Sequence, residues 1–246
     1  MAGRIRIGIG GWTFEPWRGT FYPQGLRQKD ELTYVGEHLT ATEINATYYS
    51  TQKPVTFANW AKAVPDGFQF AVKASRFCTN RRVLAEAGES IGRFVGQGIV
   101  ELGDRLGPIL WQFMPTKKFD ADDFGAFLRL LPQEVAGVPL RHALEVRHES
   151  FDDPAFLKLA CDAGAAIVFA DHEEYPRLQG HDVGFSYARL MRTREEEEAG
   201  YTAAEIRDWA AMARREAVKG DVFAFFISGA KVRAPAAAQA MIVALG

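Results

Sequence analysis

Eight short apolar segments recur along the chain, and each closes on polar residues: Ile5–Trp12, Ala41–Tyr48, Phe68–Ser75, Pro108–Met114, His142–His148, Ala165–Asp171, Phe185–Met191 and Val222–Ser228. Helical periods fill most of the gaps. Ile91, Phe94, Val95, Ile99 and Leu102 form one series, and Phe124, Phe127, Leu128 and Leu131 another. Asp153-Pro154 opens a helix that Gly164 closes. Thr202-Ala203-Ala204-Glu205 reads as a capping box, with Gly220 beyond its helix, and Pro235 starts the last helix. Strands alternating with helices eight times predict a (β/α)₈ TIM barrel, an α/β fold that places chemistry where its strands end. The stretch between Asp171 and Phe185 lacks a helical period, so the sixth helix is expected to be missing or reduced. Glu195–Glu198, the one charge run, is expected to be a solvated loop or helix start.

Side chains alternate along a strand, so each segment divides into two faces. The purely apolar face should meet the helices and the mixed face should point into the barrel. The last inward layer would then hold Glu43, Asn45, Lys73, Gln112, Glu145, Arg147, Asp171 and Arg189, with Gly8 and Gly10 leaving space on the first strand. On the eighth strand the same rule turns Phe226 and Ser228 inward, away from Phe225 and Ile227. An ion-pair network that merely closes the barrel top would explain this layer. Six charges from five strands at the fold's usual active-site end favour a functional pocket.

Loops at the same end add aromatics and cations. Trp12, Phe14, Trp17, Phe21 and Tyr22 follow the first strand, and Tyr48-Tyr49 the second. Arg76, Arg81 and Arg82, then Lys117 and Lys118, then Arg192 and Arg194, then Lys231 and Arg233 follow strands three, four, seven and eight. Ser228–Pro235 lies where barrels often bind phosphate, before a helix start. A basic rim of this kind favours an anionic ligand.

Composition narrows the class without naming a reaction. At 246 residues the chain is close to the ~250 typical of one barrel, and one domain over residues 1–246 is expected. A net charge of −2 supplies no global field toward nucleic acid or membrane. Two cysteines, Cys78 and Cys161, with no signal-peptide pattern or long apolar run, fit a cytoplasmic protein. No HxH or HExxH spacing occurs, so no cofactor is expected, and a divalent metal is a minor alternative. Glu43, Glu145 and Asp171 are the acid/base candidates. Lys73 is expected to pair with a carboxylate; if neighbouring cations depress it instead, it could form a Schiff base.

Several segments together resemble the YecE-like family, a TIM-barrel family of unknown function, along nearly the whole chain. The resemblance rests on Gly10-Gly11-Trp12, Trp17-Arg18-Gly19, Phe21-Tyr22-Pro23, Glu43–Tyr49, Phe70–Ala74, Leu110–Phe113 with Pro115, and Glu145–His148. It implies site positions at Glu43, Asn45, Lys73, Gln112, Glu145, Arg147, His148, Asp171 and Arg189. The chain departs from the family at Asn80, where a histidine is usual, at Met191-Arg192 in place of His-Gly, and at Ile227-Ser228 in place of asparagines. Arg192 and Lys231 are therefore expected to take over ligand contacts.

These readings give an enzyme acting on an anionic, phosphate-bearing or nucleic-acid-derived substrate. Its catalytic residues would be Glu43, Lys73, Glu145, Arg147 and Asp171. Its binding residues would be Trp12, Asn45, Tyr48, Gln112, His148, Arg189, Arg192, Lys231 and Arg233. The alternatives are a non-catalytic nucleic-acid or nucleotide-sugar binder and a metal-dependent endonuclease or sugar-isomerase-like barrel.

Overall fold

The computed structural model describes residues 2–178 and 180–246. Its parallel strands are β1 (Ile5–Gly10), β2 (Ala41–Ile44), β3 (Gln69–Lys73), β4 (Leu106–Gln112), β5 (His142–Glu145), β6, β7 (Phe185–Leu190) and β8 (Asp221–Phe226). Strand β6 comes in two pieces, Ala166–Ile167 and Phe169–Asp171. The first pairs with Ala143 and Leu144 of β5, and the second with Ala188–Leu190 of β7. The interrupted strand thereby joins the two ends of the sheet into a barrel. Val168, at the break, still donates its N–H to the Leu144 carbonyl at 3.0 Å.

The helices are α1 (Glu31–His38), α2 (Ala46–Tyr49), α3 (Pro54–Lys62), α4 (Arg76–Thr79), α5 (Gly88–Val95), α6 (Ala121–Arg129), α7 (Pro154–Asp162), α8 (Ala203–Ala217) and α9 (Ala234–Leu245). The capping box forms as the sequence predicts: the Thr202 hydroxyl accepts from the Glu205 N–H at 3.2 Å, and the Thr202 N–H donates to Glu205 at 2.8 Å. The apolar series from Ile91 to Leu102 does not make one helix. Gly98, at φ 105°, breaks it, and Ile99–Arg105 follows as 3₁₀ turns kinked at Gly103. Glu195–Glu198 is loop, not a helix start. No helix forms among the described residues between β6 and β7, a stretch that also contains Gln179, outside the described residues.

Two cores follow from the strand alternation. Inside the barrel, Ala41, Ala71, Ala143 and Ala166 face Phe185, Tyr187, Phe223 and Phe225, so small side chains on one arc admit large rings from β7 and β8. Outside it, Trp111 and Phe113 pack on Phe124, Phe127 and Phe151 under the helices.

The inner set corrects two face assignments. Ala166 and Val168 point inward, so Asp171 lies on the opposite parity, outside the barrel. On β8, Phe223 and Phe225 point inward and Phe226 outward, which brings Ile227 rather than Ser228 onto the inward parity.

Gly8 fits the first strand against its neighbour. A Cβ there would stand 2.1 Å from the Ala41 carbonyl oxygen and 3.2 Å from the Phe225 ring. Gly8→Ala should therefore lower stability by about 1–3 kcal/mol, the usual range for overpacking, as read by denaturant unfolding. Wild-type stability in this variant would contradict that close approach.

Candidate functional site

The site is built downward from Arg189, whose side chain is 3% exposed. Its Nε donates to Glu43 Oε2 at 3.1 Å and its Nη2 to Glu43 Oε1 at 3.0 Å, a two-point fork. Its Nη1 pairs with Glu145 and also donates to the Gln112 side-chain oxygen at 3.2 Å. Both carboxylates are fully buried. Each has a further partner. The Tyr187 hydroxyl donates to Glu43 at 2.8 Å, and Arg147 reaches Glu145 through Nε at 2.6 Å and Nη2 at 2.5 Å. Burial alone would push the Glu145 carboxyl up; Arg189 and Arg147 outweigh it and hold the group below its ordinary range. The same burial beside Glu43 raises the Tyr187 phenol, keeping it a neutral donor.

Lys73 ends β3 in the same layer and is 8% exposed. It does not form the expected carboxylate pair. Its Nζ lies 4.2 Å from the Tyr48 ring centre, and among the described residues it makes no ion pair. Desolvation first, and then the Arg189 guanidinium, bring its ammonium down to about 8 against the pull of Glu43 and Glu145.

Above this layer opens a cavity of about 690 Å³. Of the residues the sequence proposed for a site, Trp12, Asn45, Tyr48, Lys73, Gln112, Arg147, Arg189 and Lys231 line it. Lys231 sits in the turn after β8, with Nζ 4.4 Å from the Phe14 ring centre and 5.4 Å from that of Trp17. Half-burial lowers its ammonium, and no carboxylate opposes that shift.

Four expected site residues stand elsewhere. Asp171, on the outer parity, accepts from the Tyr201 hydroxyl at 3.1 Å and from Arg192 Nε at 2.8 Å. Arg192 is thereby turned away from the cavity instead of replacing a ligand contact. His148 accepts the Ser150 N–H through Nδ1 at 3.1 Å and caps the turn that follows β5. Arg233 donates to the Glu195 carbonyl at 3.1 Å. The basic rim is also partly engaged: Lys117 bonds Asp123 and the Arg82 carbonyl, both at 2.8 Å, and Arg194 pairs with Glu205. Inside the cavity, Lys73 and Lys231 have no acidic partner bonded to them among the described residues.

Sequence reasoning missed Tyr187 and Tyr175. Tyr187 shares its parity with Arg189, so the signal was present. Tyr175 stacks on His172 with ring centres 3.8 Å apart and lies 4.7 Å from the Arg147 guanidinium. It belongs to an irregular stretch with no period to read. Among the described residues no three His, Cys, Asp or Glu side chains gather as a metal would require. Cys78 is buried, and its thiol is pushed up to about 12, away from the thiolate a nucleophile needs.

Four cations and two carboxylates around the C-terminal mouth of a parallel barrel define a TIM-barrel protein with a ligand-sized polar pocket. The chain belongs to the family described as Protein of unknown function DUF72, which matches residues 6–246. It is 27% identical over 157 residues to UPF0759 protein YunF of Bacillus subtilis, covering 62% of this chain and 54% of that protein, about half its length. Among solved structures, a DUF72 family protein from Thermotoga maritima is similar at a TM-score of 0.75 and 22% identity, covering 97% of each chain. One from Enterococcus faecalis is similar at 0.75 and 19% identity, covering 99% of this chain and 98% of that one. These likenesses establish the fold.

Glu145→Gln leaves the buried Arg189 and the part-buried Arg147 without their full counter-charge. It should cost about 3–5 kcal/mol, the range for breaking a buried pair, as measured by urea unfolding. A loss under about 1 kcal/mol, the scale of an exposed pair, would mean that the network is not held as described.

Proposed function

We propose that this chain is an enzyme that takes an anionic, phosphate-bearing or nucleic-acid-derived substrate in the cavity at its C-terminal barrel mouth. The observation that carries the reading is Lys231, a half-buried ammonium lining the cavity with no acidic partner among the described residues. The carboxylates below it are already engaged by Arg189 and Arg147. An anion would supply the missing counter-charge to Lys231 and Lys73, with Arg147 within the same cavity.

Glu43, Lys73, Glu145 and Arg147 remain the residues through which we would look for chemistry. Asp171 serves at most by holding Arg192. The motif Glu43–Tyr49 supports the finer grouping with YecE-like proteins. Two unpaired cysteines fit a cytoplasmic setting; among the described residues no helix is long and apolar enough to cross a membrane.

A second reading, a non-catalytic nucleic-acid binder, draws on Tyr49. It lines the cavity, packs edge-to-face with Tyr48 and is 65% exposed, which leaves ring surface on which a base could stack.

Binding of inorganic phosphate and of short single-stranded DNA, followed by calorimetry, tests the reading. Lys231→Ala should weaken phosphate binding about tenfold or more, the worth of one charged hydrogen bond. Affinity should also fall as pH rises through about 8, because Lys73 is charged below that value and neutral above it. Binding indifferent to both changes would exclude the anion site. DNA affinity lost with Tyr49→Ala, without turnover, would favour the second reading.

A further inference from the structure

The two lysines of the cavity are in different chemical settings. Lys231 stands at the rim over Phe14 and Trp17. Lys73 is deep, and it fails to pair although two carboxylates share its layer. Both are already committed: Glu43 to Arg189 and Tyr187, and Glu145 to Arg189 and Arg147. The groups facing Lys73 are Glu43 on β2, Tyr48 on α2, Glu145 and Arg147 at the end of β5, and Arg189 on β7. A buried amine held against guanidiniums, with no acid bonded to it, is in the setting that favours the neutral, nucleophilic form. With its ammonium near 8, about a tenth of Lys73 is neutral at pH 7.

We propose that Lys73 is a nucleophile that condenses with the carbonyl group of an anionic substrate to form an imine at the barrel mouth. The proposal rests on the anion reading above and narrows its substrate to an anionic aldehyde or ketone. The Lys73 Nζ lone pair attacks the carbonyl carbon, and the C=O π pair moves onto oxygen. A proton passes from the new ammonium to that oxygen, giving a carbinolamine. The nitrogen lone pair then forms C=N as the hydroxyl leaves, taking the remaining nitrogen proton. One amine and one carbonyl thus give one imine and one water. The transient alkoxide would form among Arg147 and Arg189, which line the same cavity, and the anionic end would extend toward Lys231.

Pyridoxal phosphate joins an aldehyde to a phosphate and serves as the probe. The purified chain is incubated with it, reduced with borohydride, and the modified lysine mapped by peptide mass spectrometry. Lys73 should carry the label, with an imine yield that rises through pH 8. Inorganic phosphate should slow the labelling, and pyridoxal without the phosphate should label Lys73 about tenfold more slowly. Lys73→Arg keeps the charge and removes the nucleophile, so a folded variant should lose the label at that position. If it does not fold, the position of the label in the wild-type chain decides alone. A label confined to Lys231 or to exposed lysines overturns the proposal. Phosphate binding with Lys73 unlabelled removes the imine and leaves the anion site; a Lys73 label indifferent to phosphate removes the anion site and leaves the imine.

Discussion

The buried Arg189 guanidinium, held between Glu43 and Glu145, is the interaction on which the barrel mouth depends. Burying one cation alone would be prohibitive. Two carboxylates, from β2 and β5, meet it from different sides of the barrel, so the strands at the mouth are tied through their charges as well as their hydrogen bonds. Glu145 is shared with Arg147 in turn, and Gln112 and Tyr187 complete the hydrogen bonds. Such a network often contributes less stability than apolar packing would, so its presence at the ligand end of the fold weighs toward a functional demand.

That arrangement decides which charges stay available. Because both acids answer to arginines, neither is bonded to Lys73, and the cavity keeps a positive excess in a chain whose net charge is −2. The outer loops contribute less than their composition suggests. Lys117 and Arg194 are tied to Asp123 and Glu205, so those two rim charges are largely cancelled.

The order of strands and helices and most of the inward layer were legible from alternation, since on β2, β3, β4, β5 and β7 one face is plainly apolar. The rule failed where polarity does not report direction. On β6, Asp171 is polar but is satisfied outside the barrel by Tyr201 and Arg192, contacts that only tertiary structure supplies. On β8 both faces carry phenylalanines, and the pairing of Ile9 with Phe226 and the packing of Tyr187 on Phe225 set the orientation. Glu43 and Arg189 were legible as members of one layer. Their bond, across 146 positions of sequence, was not.

The orientation of β8 bears on the chemistry. Ile227 and Ser228 both wall the cavity here, and Arg192 is drawn off by Asp171, so the side of the mouth nearest β7 and β8 has one cation fewer than its sequence suggested. Lys231 stands beside that wall, over two aromatic rings, and pays for the desolvation in a lowered ammonium. An apolar wall weakens the competition of water, so a charge-assisted hydrogen bond made there is stronger than one at an open surface. The mouth is thus asymmetric. One side holds a neutralised ion network with a lone buried amine, and the other holds a single poorly solvated cation. A ligand of the kind proposed would set its anionic group against Lys231 at one end and its reactive group against Lys73 at the other.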